Sequence, residues 1–423
     1  MKKLFKAPVA WVLAVLARAI LRKYRPQIVM VTGSVGKTST KDALAAAFSK
    51  THFLRASEKS YNSEFGLPLT VIGAKNPWEN PAAWFGVFQE ALALIMLPSH
   101  YPKLLILEVG ADRPGDLRRI LRIAKPDAVV VTRLPEVPVH VEAYEGPQAV
   151  RDEEFTPAYA LAPQAPLIIC AEDIYAQTMA ARLSASITTF GFSDAATIYI
   201  QDPSFYSEGD TAGMRAQVDG AEIRVQGALG RPQLYAPAAA LALAHALNIP
   251  RQETLAGLKT YIAPPGRARV LSGVNNSYII DDSYNASPTA VEEGLNALSL
   301  IPQKGKRIAV LGDMLELGRY SQEEHARIGA LVAEKADMLV AVGVRSRATY
   351  EAAKHAGLSE DAAYAVDTAA DAATLLEGLV MEHDVVLVKG SQSMRMERVS
   401  EALLRNPADA VRLVRQEREW KRR

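Results

Sequence analysis

Short apolar runs recur along the first half of the chain and alternate with alanine- and leucine-rich helical patterns. The clearest runs are QIVMVTG (27–33), KLLILEVG (103–110), DAVVVTRL (127–134) and APLIICAED (165–173). Runs that are apolar on both faces and spaced by helices predict a parallel sheet that helices cover on both sides. Between 187 and 226 the runs are separated by turn residues, which predicts short antiparallel strands at one edge.

A second series of apolar runs, again followed by helical patterns, begins near residue 270. The sequence Ala263-Pro264-Pro265-Gly266 lies between the two series and is typical of a hinge linker. We therefore predict an α/β protein with a nucleotide-binding domain at 28–263 and a smaller Rossmann-like α/β domain at 264–423. Ligands of such sheets bind at the carboxyl ends of the strands, so the active site is expected in the cleft between the domains.

Residues 1–27 have a pattern of their own. Three lysines within the first six residues precede a mostly apolar stretch from Ala7 to Leu21, which Arg18 interrupts. This stretch is shorter than the roughly 20 residues that span a bilayer. A cleaved signal peptide is disfavoured, because an arginine would stand inside the cleavage site. We predict a basic, apolar helix that either lies against the inner face of the membrane or packs on the domain.

Composition narrows the class of partner. The 423 residues contain 48 Lys and Arg against 47 Asp and Glu, a net charge of +1, and this balance gives no indication of a nucleic-acid partner. The single cysteine, Cys170, excludes an internal disulfide and a cysteine-based zinc site. We expect a cytoplasmic monomer that acts on small-molecule or peptide substrates.

The strongest chemical signal is TGSVGKTST, from Thr32 to Thr40, which follows the first predicted strand and opens a helix. Two glycines let the backbone curl so that its N–H groups face one anion, and the helix N-terminus adds partial positive charge. Lys37 can reach the β- and γ-phosphates, and the Thr38 hydroxyl can ligate Mg²⁺. The sequence therefore predicts a central P-loop ATPase domain that binds ATP and Mg²⁺. The expected ATP contacts of this loop are Thr32, Gly33, Ser34, Val35, Gly36, Lys37, Thr38 and Ser39.

Only two residues separate the glycines of this loop, whereas four are usual, and the short form is accompanied by further motifs in a fixed order. They are YNSEFGLPLT (61–70), LEVGADRPGD (107–116), VHVE (139–142), DDSYNASP (281–288), LGDMLELG (311–318) and LVKGSQS (387–393). Together they resemble the Mur ligase family over about residues 28 to 400. The resemblance implies an ATP-dependent ligase that joins a carboxylate to an amine through an acyl phosphate. The amine would be D-alanyl-D-alanine or a similar group, added to a cell-wall peptide in peptidoglycan biosynthesis.

The resemblance also implies roles for particular residues. Lys37, Glu108 and His140 would be catalytic, and the last two would ligate magnesium together with Thr38. Without the family, Glu108 is a solvent-facing strand end and His140 a loop histidine. Arg267, Asp282 and Asn285 would contact the nucleotide from the linker and the second domain. Asn62, Lys389 and Ser391 would face the substrates, although turn roles are an equal alternative for these three.

Three departures from the family pattern qualify these expectations. The family's carbamylated lysine is expected fourteen residues after His140, where this chain has Glu154. Glu154, or its neighbours Glu153 and Asp152, could supply the missing anion; a solvated acidic helix face is the alternative. The base-binding segment is changed to GRPQLYAP (230–237), in which Gln233 could still offer an amide to adenine.

The third departure is at the N-terminus, where only about 27 residues precede the first strand. We therefore expect the module that holds a UDP-linked substrate to be absent. Two other functions remain open: a Mur-like ligase for another carboxylate, such as a poly-γ-glutamate-type chain, and a non-catalytic ATP-binding relative.

Overall fold

A nine-stranded sheet forms the first part of the molecule in the computed structural model, which describes residues 3–58, 63–77, 80–208, 211–302, 304–417 and 420. The strands are β1 (Gln27–Thr32), β2 (Leu54–Ala56), β3 (Leu104–Glu108), β4 (Ala128–Val131), β5 (Pro166–Cys170), β6 (Ser186–Gly191), β7 (Ile198–Glu208), β8 (Thr211–Val218) and β9 (Ala221–Gln226). Their order in the sheet is β2-β3-β1-β4-β5-β6-β7-β8-β9. Pairing is parallel from β2 to β7 and antiparallel from β7 to β9. The predicted mostly parallel sheet is confirmed.

The edge of this sheet differs in detail from the prediction. We expected short antiparallel strands from residue 187 onwards, but β6 pairs in parallel with β5. A helix at Ile174–Ala180 connects the two strands and makes a parallel crossover possible. The antiparallel strands begin only after β7, which is 11 residues long.

Helices cover both faces of the first sheet. They are α1 (Lys3–Tyr24), α2 (Lys37–Phe48), α3 (Gly66–Ile72), α4 (Pro81–Met96), α5 (Asp116–Leu121), α6 (Pro147–Tyr159), α7 (Ile174–Ala180), α8 (Pro232–Ala246) and α9 (Arg251–Leu258). Alternate residues of β1 point to opposite sides: Ile28 and Met30 pack in one core with α1, α3 and α4, whereas Val29 and Val31 pack in another with α2 and α8. Burial on both faces explains the continuous apolar runs of the sequence.

A second sheet follows, with the order β10-β11-β15-β12-β13-β14. Its strands are β10 (Arg269–Ser272), β11 (Tyr278–Asp282), β12 (Arg307–Gly312), β13 (Met338–Val342), β14 (Ala363–Val366) and β15 (Val385–Lys389). Its helices are α10 (Pro288–Leu298), α11 (Ser321–Lys335), α12 (Arg347–His355), α13 (Ala369–Glu377) and α14 (Glu397–Ala402). Only the β10–β11 pair is antiparallel. The α/β fold class with two sheets is confirmed, and the predicted boundary at 263/264 falls between α9 and β10.

The N-terminal segment forms one long helix that packs on the first sheet. Leu13, Ala17 and Ile20 of α1 are fully buried. The ring of Tyr24 stacks on Tyr101 with centroids 4.5 Å apart, and its hydroxyl donates to the Leu94 carbonyl. Packing on the domain, one of the two predicted arrangements, is therefore observed. Within the described residues, no helix combines the length and the apolar character needed to cross a membrane.

Candidate active site between the two sheets

The phosphate loop lies at the carboxyl end of β1, between the neighbouring strands β3 and β4. Gly33 has φ +115°, and a Cβ at this position would lie 2.4 Å from the Thr132 hydroxyl oxygen. Gly36 has φ +92° and precedes α2 directly. Both glycines are therefore required by the backbone conformation, and Gly33 also by the close approach of β4. The first N–H groups of α2 have no partner within the helix and are available to an anion.

Lys37 folds back over this loop, close to Glu154 of α6. Its ammonium donates a hydrogen bond to the Gly33 carbonyl and lies 3.9 Å from the Glu154 carboxylate. The Ser34 hydroxyl donates to the other carboxylate oxygen of Glu154, and the Thr32 hydroxyl donates to the Glu154 backbone carbonyl at 2.6 Å. Glu154 is buried, so the alternative of a solvated acidic face is wrong for this residue.

The neighbours of Glu154 do not face the loop. Glu153 accepts hydrogen bonds from the backbone N–H groups of Gly115 and Leu117, and Asp152 is exposed. Burial raises the pKa of Glu154, while the charge of Lys37 and the Ser34 hydrogen bond act in the opposite direction. Of the three acidic residues considered, Glu154 alone places a carboxylate against the phosphate loop.

Thr38 and Glu108 meet beside the loop. The Thr38 hydroxyl donates to Glu108 Oε1 at 3.1 Å, and Glu108 stands at the carboxyl end of β3. Its second oxygen, Oε2, is buried and has no hydrogen-bond partner among the described residues. A hydroxyl beside a buried, unsatisfied carboxylate oxygen fits a hard divalent cation such as Mg²⁺. Among the described residues no cluster of three or more His, Cys, Asp or Glu could hold a metal by itself. A Mg²⁺ ion at the Thr38–Glu108 pair would therefore need further ligands beyond these two side chains.

His140 lies where the two parts of the molecule meet. Its φ is +66°. Its Nδ1 lies 2.8 Å from the carboxylate of Glu316, and its Nε2 lies 3.6 Å from the carboxylate of Asp112. Burial lowers the pKa of His140, but the hydrogen bond and charge of Glu316, together with the charge of Asp112, raise it overall. In this arrangement His140 is bound to Glu316, a residue of the second part that the sequence did not single out.

The predicted residues at the ends of β11 and β15 form one group around the buried Lys389. Asp282 and Lys389 are register partners in the sheet, and the Lys389 ammonium lies 2.6 Å from the Asp282 carboxylate. Lys389 also donates to the Asn285 carbonyl at 3.0 Å. Burial lowers the pKa of Lys389, although Asp282 opposes this shift. The Asn285 side chain accepts a hydrogen bond from the Gln392 backbone N–H.

The remaining predicted residues are divided between the cleft and turns. Ser391 is buried and its hydroxyl accepts a hydrogen bond from the Leu315 N–H at 2.8 Å, which is the turn role considered above. Arg267 lines the cleft, and its guanidinium lies 4.1 Å from the ring centre of Tyr284. Asn62 lies outside the residues that the structure describes, so its substrate role stays a prediction.

A cleft of about 850 Å³, including space open to solvent, lies between the phosphate loop and the second sheet. Among the predicted residues, its walls include Val35, Gly36, Ser39, Gln233, Arg267, Asp282 and Lys389. Gln233 stands in the first turn of α8, and its side-chain oxygen is buried without a hydrogen-bond partner among the described residues. An unsatisfied amide beside a cleft is available to a polar ligand such as a nucleotide base.

Sequence reasoning missed several side chains of this cleft. Arg133 follows β4, forms an ion pair with Glu293 of α10 at 3.3 Å, and lies 6.0 Å from the ring centre of Tyr235. The position of Arg133 directly after an apolar strand could have identified it. Nothing in the helical pattern of α10 identified Glu293. The Arg133–Glu293 pair joins the two sheets across the cleft.

Comparison with known protein families identifies the class of protein that this fold and site define. The family model described as the Mur ligase middle domain matches residues 31–244, and the model described as the Mur ligase, glutamate ligase domain matches residues 266–392. The chain therefore belongs to the Mur ligase family.

Individual relatives narrow the comparison from the family to one kind of ligase. The UDP-N-acetylmuramoyl-tripeptide–D-alanyl-D-alanine ligase of Bacillus subtilis is 25% identical over 394 residues, which cover 93% of this chain and 79% of that protein. The Escherichia coli enzyme of the same name is 26% identical over 402 residues, covering 92% and 80%. The MurF ligase of Thermotoga maritima, solved in complex with ADP, superposes with a TM-score of 0.75 at 25% identity, covering 93% and 83%.

The fold alone is also shared with a different ligase. Folylpolyglutamate synthase of Mycobacterium tuberculosis, solved with ADP, superposes with a TM-score of 0.63 at 14% identity, covering 92% of this chain and 94% of that one. The family is thus established, and the relatives of highest identity among those compared are named for D-alanyl-D-alanine ligation.

Proposed function

We propose that this protein is an ATP-dependent ligase that forms an amide bond between a cell-wall peptide carboxylate and D-alanyl-D-alanine or a similar amine. The observation that carries the proposal is the phosphate loop with its Thr38–Glu108 pair, which opens into a cleft closed by the second sheet. The relatives named for this reaction support the choice of substrates. ATP is the proposed nucleotide, in line with the ADP complexes of related structures.

The side chains suit transfer of a phosphoryl group. The N–H groups at the start of α2 would bind phosphate oxygens, and Lys37 would leave the Gly33 carbonyl to neutralise the γ-phosphate. The substrate carboxylate would attack the γ-phosphorus, and the bond to ADP would break to leave an acyl phosphate. The amine would then attack the acyl carbon, expel inorganic phosphate and lose a proton to give the amide. Gln233 would bind the base, while Arg267 and Asp282 would contact the nucleotide from the linker and the second sheet. This assignment requires both sheets around one ATP.

Magnesium fits the Thr38–Glu108 pair. Thr38 and Glu108 would hold the ion, with His140 as the third proposed ligand after release from Glu316. Mg²⁺ would neutralise charge on the transferring phosphoryl group. Glu154, as the buried carboxylate beside Lys37 and Ser34, would position the phosphate loop and its lysine in place of a carbamylated lysine.

The organisation and setting of the protein are also proposals. We retain a division into an N-terminal helix at 1–27, a middle domain at 28–263 and a C-terminal domain at 264–423. We place the reaction in the cytoplasm, where ATP is supplied, and expect a monomer with peptide and dipeptide substrates and no nucleic-acid partner. Lys389, which lines the cleft, and Asn62 remain candidate substrate contacts, whereas Ser391, which holds a turn, would act on substrates only indirectly.

The test is phosphate release by the purified protein with Mg-ATP and defined acceptors. We expect release to rise only when UDP-N-acetylmuramoyl-tripeptide and D-alanyl-D-alanine are present together, with each alone as a control. Stimulation by glutamate acceptors and a polyglutamate chain instead would replace these substrates with those of a folylpolyglutamate-synthase-like ligase. Tight ATP binding without release for any pair would contradict ligase activity and favour a non-catalytic relative.

A further inference from the structure

Helix α1 presents an exposed stripe on the side opposite its buried face. The stripe consists of the exposed residues Trp11, Val15 and Arg22 and the half-buried Arg18. Steps of three or four residues place these side chains on one side of a helix. Trp11 is 67% exposed, which is unusual for so large an apolar side chain, and Arg22 is exposed as well. The stripe is therefore apolar in its first half and basic in its second half.

The charge of this segment is segregated from the rest of the chain. Residues 1–25 contain seven Lys and Arg and no Asp or Glu, whereas the whole chain has a net charge of only +1. Among the described residues, Arg18, Arg22 and Arg25 have no ion-pair partner. Lys23 differs, because its ammonium donates to three carbonyl groups at the end of α4. The arginine charges are thus free to meet an external anion.

Helix α4 carries further exposed apolar side chains. It packs beside α1, and Lys23 joins the C-terminal ends of the two helices through its bonds to the carbonyls of Leu94, Ile95 and Leu97. The exposed large apolar side chains at α4 and its end are Phe85, Leu92, Met96 and Leu97, with Met96 78% exposed. The helix contains a single charged residue, Glu90. Together with the stripe of α1, these side chains form the α1–α4 surface.

We propose that the α1–α4 surface binds the face of a bilayer that carries anionic headgroups. An exposed tryptophan beside apolar side chains is suited to the headgroup boundary, and adjacent arginines are suited to anionic lipid. The helix lies flat on the domain, so contact is peripheral. Two-fold pairing with a second copy is disfavoured, because it would bring unpaired arginines of both copies into one interface. The proposal concerns binding only and does not rest on the ligase activity.

The test is co-sedimentation of the full chain with vesicles rich in phosphatidylglycerol, compared with vesicles of phosphatidylcholine alone. We expect binding to the anionic vesicles that weakens as salt is raised. Arg18→Gln and Arg22→Gln should each lower the partition coefficient about fivefold, and Trp11→Ala about tenfold. Arg405→Gln, which removes an exposed arginine from the second part of the molecule, is the matched control and should leave binding unchanged.

Two results would overturn the proposal. One is equal sedimentation of the parent and the Trp11 and Arg22 variants, with thermal unfolding showing that all are folded. The other is a dimer in analytical ultracentrifugation that Trp11→Ala dissociates, together with an absence of vesicle binding. That second result would assign the α1–α4 surface to another copy of the chain.

Discussion

At the scale of single residues, Lys37 tests the phosphate loop most sharply. Its ammonium is held by the Gly33 carbonyl and Glu154, within reach of an anion at the start of α2. We expect Lys37→Ala to lower phosphate release by about a hundredfold or more, because charge on the transferring phosphoryl group is no longer neutralised. Lys50→Ala, at an exposed position beyond the same helix, is the control. Near-normal release by the Lys37 variant would contradict the assignment of the loop.

Glu154 has a proposed role in activity, although burying its negative charge disfavours the folded state. Burial raises its pKa, so its ionised form is disfavoured by the fold. Glu154→Gln keeps the shape of the side chain and removes the buried charge. We expect phosphate release at limiting Mg²⁺ to fall at least about tenfold while the melting temperature does not decrease. Asp152→Asn changes an exposed acid of the same helix and should alter neither property.

The Glu154 assignment has a clear contrary outcome. If the rate and its magnesium dependence are unchanged in Glu154→Gln, the carboxylate has no part in the reaction. Its contacts with Ser34 and Thr32 would then be structural only.

Asp281 provides a prediction of pH-dependent stability. Its side chain is fully buried beside Ser400, one carboxylate oxygen has no hydrogen-bond partner among the described residues, and burial raises its pKa from 3.8 to about 6. Because the pKa of Asp281 is higher in the folded state than in the unfolded state, its protonation contributes to the free energy of unfolding at low pH. It is lost as the pH rises from about 4 to about 6.

Asp281→Asn should therefore increase the free energy of unfolding at pH 7 by about 3 kcal/mol at most. The increase should shrink towards zero near pH 4. Denaturant unfolding at several pH values measures it, and Asp194→Asn, at an exposed aspartate, is the control. A decrease in stability at pH 7 would show that Asp281 is stabilised as an anion.

The sequence identified residues whose chemistry is local to a motif. The phosphate loop needed only a strand, a turn and a helix in succession, so its position could be read directly. Glu108 was assigned only through the family resemblance. Arg133 and Tyr235 could have been suspected, since one follows a strand and the other lies in a recognised segment. Glu293 could not, and although Glu316 lies in the quoted motif LGDMLELG, its contact with His140 depends on how two distant parts of the chain pack.

At the scale of elements, the close contact between α2 and α9 leads us to predict that a larger residue at Gly257 lowers stability. A Cβ on Gly257 of α9 would lie 2.3 Å from the Ala46 carbonyl oxygen and 2.6 Å from that of Ala47. These atoms belong to the backbone of α2, which directly follows the phosphate loop and cannot give way locally. We expect Gly257→Ala to lower the free energy of unfolding by about 1–3 kcal/mol.

Gly86, in the exposed part of α4, is the matched control. A Cβ there meets nothing within 4 Å. Gly86→Ala should raise the free energy of unfolding by about 0.5–1 kcal/mol, because alanine favours a helix interior. Chemical denaturation measures the free energy of unfolding of both variants. Equal effects of the two substitutions would show that the α2–α9 contact is looser than described.

Most elements could be predicted from apolar runs and helical patterns, because strands that are buried on both faces of a sheet have continuous apolar sequences. The edge was less predictable. The sequence of β6 carries the same β-branched and aromatic residues as an antiparallel strand would, and its parallel pairing depends on the crossover through α7. The packing of α1 was left open for a similar reason, since one apolar helix can face either a core or a membrane.

At the scale of the whole molecule, a cleft lies between the two sheets. The Arg133–Glu293 and His140–Glu316 contacts cross between them, and both lie beside proposed ATP or magnesium contacts. The family resemblance predicted that the second part completes the ATP site. The individual cross-contacts were not predicted, because no local pattern encodes the relative placement of two sheets. Ligation should therefore require both parts of the chain around the nucleotide.

The most direct measurement of the central claim is mass-spectrometric detection of the ligated product, made with Mg-ATP, UDP-N-acetylmuramoyl-tripeptide and D-alanyl-D-alanine. We expect a new species with the mass of the two substrates joined with loss of water, formed one for one with ADP and absent with the Lys37→Ala variant. ADP formation without any joined product, for these substrates and for glutamate acceptors alike, would contradict the claim that this chain is a ligase.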